Sequence, residues 1–243
     1  MTAEQPTILA TSGGLKFGER TRLEFGPLLH YAIDLAGVTG RAPKLCHLGT
    51  AGGDQRSFNA EFSDAGRVAG VEVNHLNLFT MPPVRDVAEF VLSHDVVWVG
   101  GGSVANLLAV WQVHGIGEIL RQAWQAGVVL SGVSAGSICW YLGGSTDSFG
   151  PELRVVKNGL GLLPYGNGVH YDSEAARRPT VHAAVASGEL PLTHCTDDGV
   201  GLLYRGTELV EAVTERPGAY GYVVERDASG ESVERKLETR SVR

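Results

Sequence analysis

The 243-residue chain is 43% hydrophobic and 19% charged, which provides for a sizeable buried core and argues against disorder. Its 20 basic residues stand against 27 acidic ones, a formal charge of −7 that argues against nucleic acid as a partner, because phosphate binding needs a clustered basic surface. No stretch reaches the roughly 18 apolar residues that cross a bilayer. Cys46, Cys139 and Cys195 are scattered, with no CxxC pair, as suits a reducing compartment better than a disulfide framework. MTAEQPTILA has neither a basic n-region nor a long apolar run, so a cytoplasmic protein with no membrane partner is expected.

In chain order, Thr7–Thr11, Lys44–Leu48, Val71–Leu76, Asp95–Val99 and Val128–Ser131 are short, rich in β-branched residues and followed by glycine or polar turns. They are predicted to be buried strands. Between them, Gly26–Ala36, Ser57–Ala69, Val84–Ser93 and Val104–Ala126 carry apolar residues at helical spacing, the last breaking into two helices near His114-Gly115. That alternation predicts an α/β fold, a mostly parallel doubly wound sheet with helices on both faces. Beyond residue 150 the pattern loosens. Asn158–Gly168 is glycine-rich and aperiodic, and Glu174–Gly188 is a further helix. Val200–Tyr204, Leu209–Val213 and Gly221–Glu225 read as a small antiparallel C-terminal extension, with a charged tail after Asp227 that frays or forms an edge. No repeat, linker or boundary divides the chain, so one domain over residues 1–243 is expected.

Gly132-Val133-Ser134-Ala135-Gly136 is a G-x-S-x-G pentapeptide between a predicted strand and a predicted helix, Ala135–Leu142. A nucleophile on so sharp a turn needs small neighbours on both sides, and its hydroxyl then projects at the strand ends, beside the free N–H groups of a helix N-terminus. Val99-Gly100-Gly101-Gly102-Ser103 also follows a strand and precedes a helix. It lacks the lysine of a P-loop and the third glycine of a dinucleotide fingerprint, so its backbone N–H groups read as oxyanion donors or as a plain tight turn.

A serine needs a base. His47 and His75 fall in predicted strands, and His30, His94 and His114 on or at the ends of helices. His170 ends the glycine-rich loop in Gly166–Asp172, where function tends to concentrate, and is favoured over His182 and His194. Asp147, Asp172 and the Asp197-Asp198 pair remain open as the acid that would hold the imidazole tautomer.

VGGGSVANLL (99–108), SGVSAGSICW (131–140) and GLGLLPYGNGVHYDSE (159–174), in this order, resemble the peptidase E family of serine peptidases, the aspartyl dipeptidases, and more distantly cyanophycinase. The resemblance runs from the first strand to about Tyr222. It implies a fold like the class I glutamine amidotransferases, with serine in place of their cysteine. It further implies Ser134 as nucleophile, His170 as general base, and backbone N–H groups of Gly101, Gly102 and Ala135 as the oxyanion hole. Asp147 best matches the family's acid between nucleophile and histidine, and Asp198 a second acidic position. The chain departs from the family in having Ser103 where Asn often follows the glycine run, and Val169 where Pro often precedes the histidine; both bear on substrate fit.

The implied activity is hydrolysis of short peptides, notably dipeptides with an N-terminal Asp, without cofactor or metal. Arg177 and Arg178 are candidate forks for the substrate carboxylate, together with Ser103 in the substrate site. An α/β-hydrolase esterase shares the elbow, but its histidine usually lies near the C-terminus, whereas His170 follows Ser134 by 36 residues. A non-catalytic binding protein of the same fold is the other alternative, and intact Ser134 and His170 weigh against it. A homodimer is compatible with this reading, although the sequence specifies no oligomeric state.

Overall fold

The computed structural model describes residues 3–243. Five strands form the parallel heart of an eight-stranded sheet, in the order Glu72–His75, Lys44–Leu48, Val96–Val99, Val129–Val133, Thr7–Thr11. Val200–Arg205 and Glu208–Thr214 extend it antiparallel beyond Thr7–Thr11, and Thr239–Ser241 closes that edge in parallel with Glu208–Thr214. The central strands are buried on both faces, which is why they read as continuous apolar runs rather than alternating ones. Successive residues still point opposite ways. Val97 and Val99 join Trp111, Leu120 and Trp140 on one side, while Val96 and Trp98 join Leu29, Phe62 and Leu45 on the other.

The helices begin and end where local chemistry dictates. Pro27 starts the helix Pro27–Asp34, where a missing N–H costs nothing. Ser103 caps Val104–His114 by accepting the Asn106 N–H at 3.2 Å. Gly115, at φ 66°, stops that helix and lets Ile116–Gln125 start in a new direction, at the predicted break.

A second sheet has six strands, in the order Ser232–Leu237, Gly221–Arg226, Thr193–Thr196, Leu163–Gly168, Tyr141–Thr146, Arg154–Val156. It is larger than the C-terminal extension expected from sequence, and it takes in segments read otherwise. The helix after the elbow covers only Ala135–Ile138, and Tyr141–Thr146 is a strand. Gly143 and Gly144 weaken a helix and permit close approach. A Cβ on Gly143 would collide with the Val156 carbonyl, and one on Gly144 with the Asn167 carbonyl. Leu163–Gly168, in the run read as aperiodic, is a strand whose glycines meet the Thr193 and Cys195 side chains of the neighbouring strand. Gly221–Arg226 pairs with Thr193–Thr196 instead of with the larger sheet, and the charged tail forms the edge strand Ser232–Leu237. All three cysteines are buried and free.

Two of the histidines are held neutral inside. Burial, and secondarily His75, pulls His47 down to about 3, and burial with Arg235 pulls His194 down to about 4. Between roughly pH 6.5 and 4 the unfolded chain therefore binds protons that the folded one refuses, so stability falls as the pH falls through that window. The loss is about 1.4 kcal/mol per histidine per pH unit. Denaturant midpoints of the native chain and of His194→Gln across this range check it; parallel curves would mean that His194 does not titrate in this way.

The elbow itself depends on two glycines. A Cβ on Gly136 would collide with the Val99 carbonyl, and one on Gly132 would sit 2.6 Å from that same oxygen. Val99 lies on the adjacent strand, so neither neighbour can retreat without disturbing the sheet. Gly136→Ala should cost about 2 kcal/mol or more of stability, read as a lowered denaturant midpoint; an unchanged midpoint would contradict this packing.

Candidate active site

The strand Val129–Val133 delivers Ser134 with φ 59° and ψ −113°, a conformation costing on the order of 1–3 kcal/mol for a residue with a Cβ. Its N–H donates to the Thr11 carbonyl at 3.1 Å. Its own carbonyl accepts the N–H groups of Ser137 at 2.8 Å and Ile138 at 3.0 Å. The residue is half-buried, and its hydroxyl has no hydrogen-bond partner among the described residues. The glycine run passes directly beside it. A Cβ on Gly101 would lie 3.3 Å from the Ser134 Cβ and 3.9 Å from its Oγ. The N–H groups of Gly101, Gly102 and Ala135 have no acceptor among the described residues. Gly102 has φ 136° and packs on the Ala51 carbonyl, which also accepts the Ser103 N–H at 3.0 Å.

His170 follows the strand Leu163–Gly168 and also has a positive φ, 53°. Its Nδ1 donates to Asp198 Oδ1 at 2.5 Å, and its Nε2 has no hydrogen-bond partner among the described residues. Its backbone N–H donates to Ser12 Oγ at 3.3 Å, and the Ser12 hydroxyl shares a 2.6 Å hydrogen bond with Thr196 Oγ1. Thr11 therefore holds the Ser134 amide and Ser12 the His170 amide. Ser134 and His170 are not hydrogen-bonded to each other, but each presents a free atom, a hydroxyl and an imidazole nitrogen, of the kinds that a nucleophile–base pair must join.

Asp198 is itself oriented. Its N–H donates to Asp172 Oδ1 at 2.8 Å, and Arg216 Nε donates to its carbonyl at 2.9 Å while the Arg216 guanidinium also pairs with Asp172 Oδ2. Burial alone would raise the Asp172 carboxyl, but the Asp198 amide and Arg216 together hold it below the usual carboxylate range. Asp172 thus positions the turn rather than the imidazole. Asp197 faces away, accepting the Tyr220 N–H at 2.9 Å and the Tyr222 hydroxyl at 3.3 Å, and burial pushes its carboxyl upward.

Several residues singled out from sequence lie elsewhere. Asp147 sits exposed in the turn after Tyr141–Thr146, and Asp198 alone is ion-paired with His170 among the described residues. The neighbour of Asp147, Ser148, caps the Val104 helix by accepting the Ala105 N–H at 3.3 Å, so that loop serves the helix end. Ser103 is committed to the same cap. Arg177 is buried, with its guanidinium on the Ser145 carbonyl and, at 2.5 Å, on Glu174, so it clamps its own segment and offers a substrate no fork. Arg178 lies over the rings of Tyr171 and Tyr222, 4.6 and 4.8 Å from their centroids, and pairs with Glu234 at 2.7 Å. His182 bonds Ser232 and Glu234, and His194 bonds the Tyr204 hydroxyl at 2.7 Å.

Ser12 and Arg216 were not singled out from sequence. The small polar run Thr11-Ser12-Gly13-Gly14 at the end of the first strand was the available signal for Ser12. Arg216, in a charged turn, had none. No group of three or more His, Cys, Asp or Glu among the described residues could hold a metal ion, and no helix there is long and apolar enough to cross a membrane.

The chain is similar to known proteins at two levels. Peptidase family S51 matches residues 8–212. A Bacillus subtilis (strain 168) protein, the uncharacterized peptidase YgaJ, is 41% identical over 182 residues, which cover 75% of this chain and 78% of that one. Among solved structures, a peptidase from an acI-B1 actinobacterium superposes with a TM-score of 0.67 at 15% identity, covering 98% of this chain and 96% of its own. A candidate peptidase E protein from Listeria monocytogenes EGD-e gives 0.60 at 14% identity, over 86% and 98% respectively. The two structures share the fold, and the family is carried by the sequence matches: the chain belongs to peptidase family S51 and is a serine-type peptidase.

Proposed function

We propose that Ser134, His170 and Asp198 form the catalytic triad of a peptidase acting on short peptides. In this reading Ser134 Oγ attacks the scissile carbonyl while His170 Nε2 takes its proton. The N–H groups of Ala135 and of the Gly101-Gly102 turn receive the oxyanion. The imidazolium, stabilised by Asp198 on Nδ1, then gives the proton to the departing amine, and the C–N bond breaks. Water repeats the sequence on the acyl-enzyme and returns the free hydroxyl. The observation that carries the reading is the 2.5 Å contact of Asp198 with His170 Nδ1, which leaves Nε2 open, on a segment anchored one residue from the anchor of Ser134.

Of the carboxylates weighed from sequence, Asp198 is preferred to Asp147 on that contact. Ser134→Ala should stay folded and lose at least about a thousandfold in peptide turnover. Asp198→Asn should lose roughly a hundredfold or more, because the imidazole tautomer is no longer held, while Asp147→Asn stays within about twofold. Equal losses for the two aspartate variants would refute the assignment of Asp198.

Within the short-peptide class, dipeptides with an N-terminal Asp are the proposed substrates. Resemblance to peptidase E supports this, and the engaged guanidinium groups of Arg177 and Arg178 do not. Initial rates on a dipeptide panel varied only at the first residue decide it. Asp exceeding Ala, Asn and Lys by about tenfold supports the preference, whereas level rates would remove it and leave the hydrolysis standing.

A further inference from the structure

On the far side of the glycine run from its own strand lies a pocket of about 190 Å³, lined by His47, Gly49, Gly52, Phe58, Asn59 and Gly100 among others, with Gly101 on its wall. Gly101 is the residue that packs against the Ser134 side chain, so the pocket opens one residue's breadth from the proposed nucleophile. Two of its lining residues, His47 and Asn59, and Asp54 beside Gly49 carry buried, unpaired polar atoms. His47 Nε2, Asp54 Oδ1 and Asn59 Oδ1 have no hydrogen-bond partner among the described residues, on side chains of residues 0%, 6% and 7% exposed. All three side chains converge on one point. A Cβ built on Gly49 would lie 3.3 Å from His47 Cε1, 3.4 Å from Asp54 Oδ1 and 3.5 Å from Asn59 Oδ1. Leaving such atoms unpaired inside a protein is costly unless a ligand completes them.

The polarity of these atoms is fixed by what lies behind them. Burial pushes the Asp54 carboxyl above the usual carboxylate range, against the pull of the Leu78 N–H at 2.5 Å and the Phe79 N–H at 3.1 Å on Oδ2; Oδ1 is left unpaired, and a cation brought to it would favour the carboxylate. Asn59 uses its amide nitrogen on Asn77 Oδ1 at 2.8 Å, so its own oxygen is the atom left over. His47 Nδ1 meets His75 Nδ1 at 3.0 Å, and His75 Nε2 meets Ser63 Oγ at 2.7 Å. In the tautomer with the His75 proton on Nε2, donated to Ser63 Oγ, His75 Nδ1 accepts from His47 Nδ1–H and His47 Nε2 is a lone pair. Burial keeps His47 neutral, so it adds no positive charge. Asp54 also has φ 51°. It is one of only three non-glycine residues with positive φ among the described residues, the others being Ser134 and His170.

We infer that this pocket is the subsite for the acyl side of the substrate and that it takes a positively charged, hydrogen-bond-donating nitrogen. The unpaired oxygens of Asp54 and Asn59, with the His47 lone pair of that tautomer, match the donors of an ammonium group, whose charge would in turn favour the Asp54 carboxylate. The ammonium has two sources in a short peptide, the free N-terminus and a lysine side chain, which share this chemistry. The identification of the occupant rests on the proposed peptidase reading; the chemistry of the pocket does not.

Binding to the Ser134→Ala protein tests the pocket without turnover. Isothermal titration would compare Ala-Leu, N-acetyl-Ala-Leu and N-acetyl-Lys-Leu. Ala-Leu binding at least about tenfold more tightly than its acetylated form assigns the N-terminus. A like advantage for the acetylated lysine peptide assigns the side chain. Either preference should collapse in Asp54→Asn, and also in Gly49→Ala, which places a methyl at the point of convergence in a backbone conformation (φ −90°, ψ 10°) open to alanine. Equal binding of all three peptides, or a preference that survives both substitutions, would overturn the inference. Turnover by the unsubstituted chain is read separately: binding preference without any hydrolysis would sink the triad and leave the subsite.

Discussion

The Ser134 amide and the His170 amide come from different sheets, and both are secured by the consecutive residues Thr11 and Ser12. Thr11 is the last residue of a strand in the eight-stranded sheet and lies beside Val133 in register. Ser12, one residue on, reaches Thr196 and the His170 amide on the six-stranded sheet. The corner is tied on its other side too, since Ser12 exchanges 2.8 Å backbone hydrogen bonds with Gly199 and Val200. Asp198, which meets the imidazole, sits just before them. One short segment thereby fixes three chain positions tens of residues apart, and everything proposed about the chemistry depends on that corner staying closed.

The surroundings of Asp198 extend the same logic. Its carboxylate touches His170, its amide rests on Asp172, and its carbonyl is held by Arg216. Its Oδ1, amide and carbonyl each have a separate partner, so the carboxylate has little freedom to turn from the ring although the side chain is 41% exposed. A hydrogen bond that needs only one orientation of the ring is worth more when the acid cannot turn away from it.

Much of this was legible in the residues. The five parallel strands and the helix break at Gly115 follow from apolar runs and punctuation by glycine, because strands buried on both faces leave few alternatives. The elbow was legible for the same reason: small residues flanking a serine between a strand and a helix have a steric purpose, seen in the crowding of Gly136 on Val99. The strand Tyr141–Thr146 was not legible, since a short apolar run after a helix start has no period of its own, and its two glycines matter only through the Val156 and Asn167 carbonyls that press on them. Asp198 against Asp147 could not be decided either. Sequence order places Asp147 between serine and histidine, but the pairing is set by the turn at Thr196–Gly199 folding back on Ser12. Likewise, Arg177 and Arg178 look like free cations until Glu174, Glu234 and two tyrosine rings are brought against them.

Among the described residues, Asp54, Ser134 and His170 are the three non-glycine residues with positive φ, and two of them belong to the proposed triad. Each departs from its preferred torsions by an amount comparable to a sizeable fraction of a domain's net stability. The proposed triad is accordingly built on strained backbone, and the sheets that carry Ser134 and His170 keep it so. Replacements that ease these torsions yield a hardier protein and, on the proposed chemistry, a poorer enzyme, so selection for thermal endurance alone should drive changes toward these positions first.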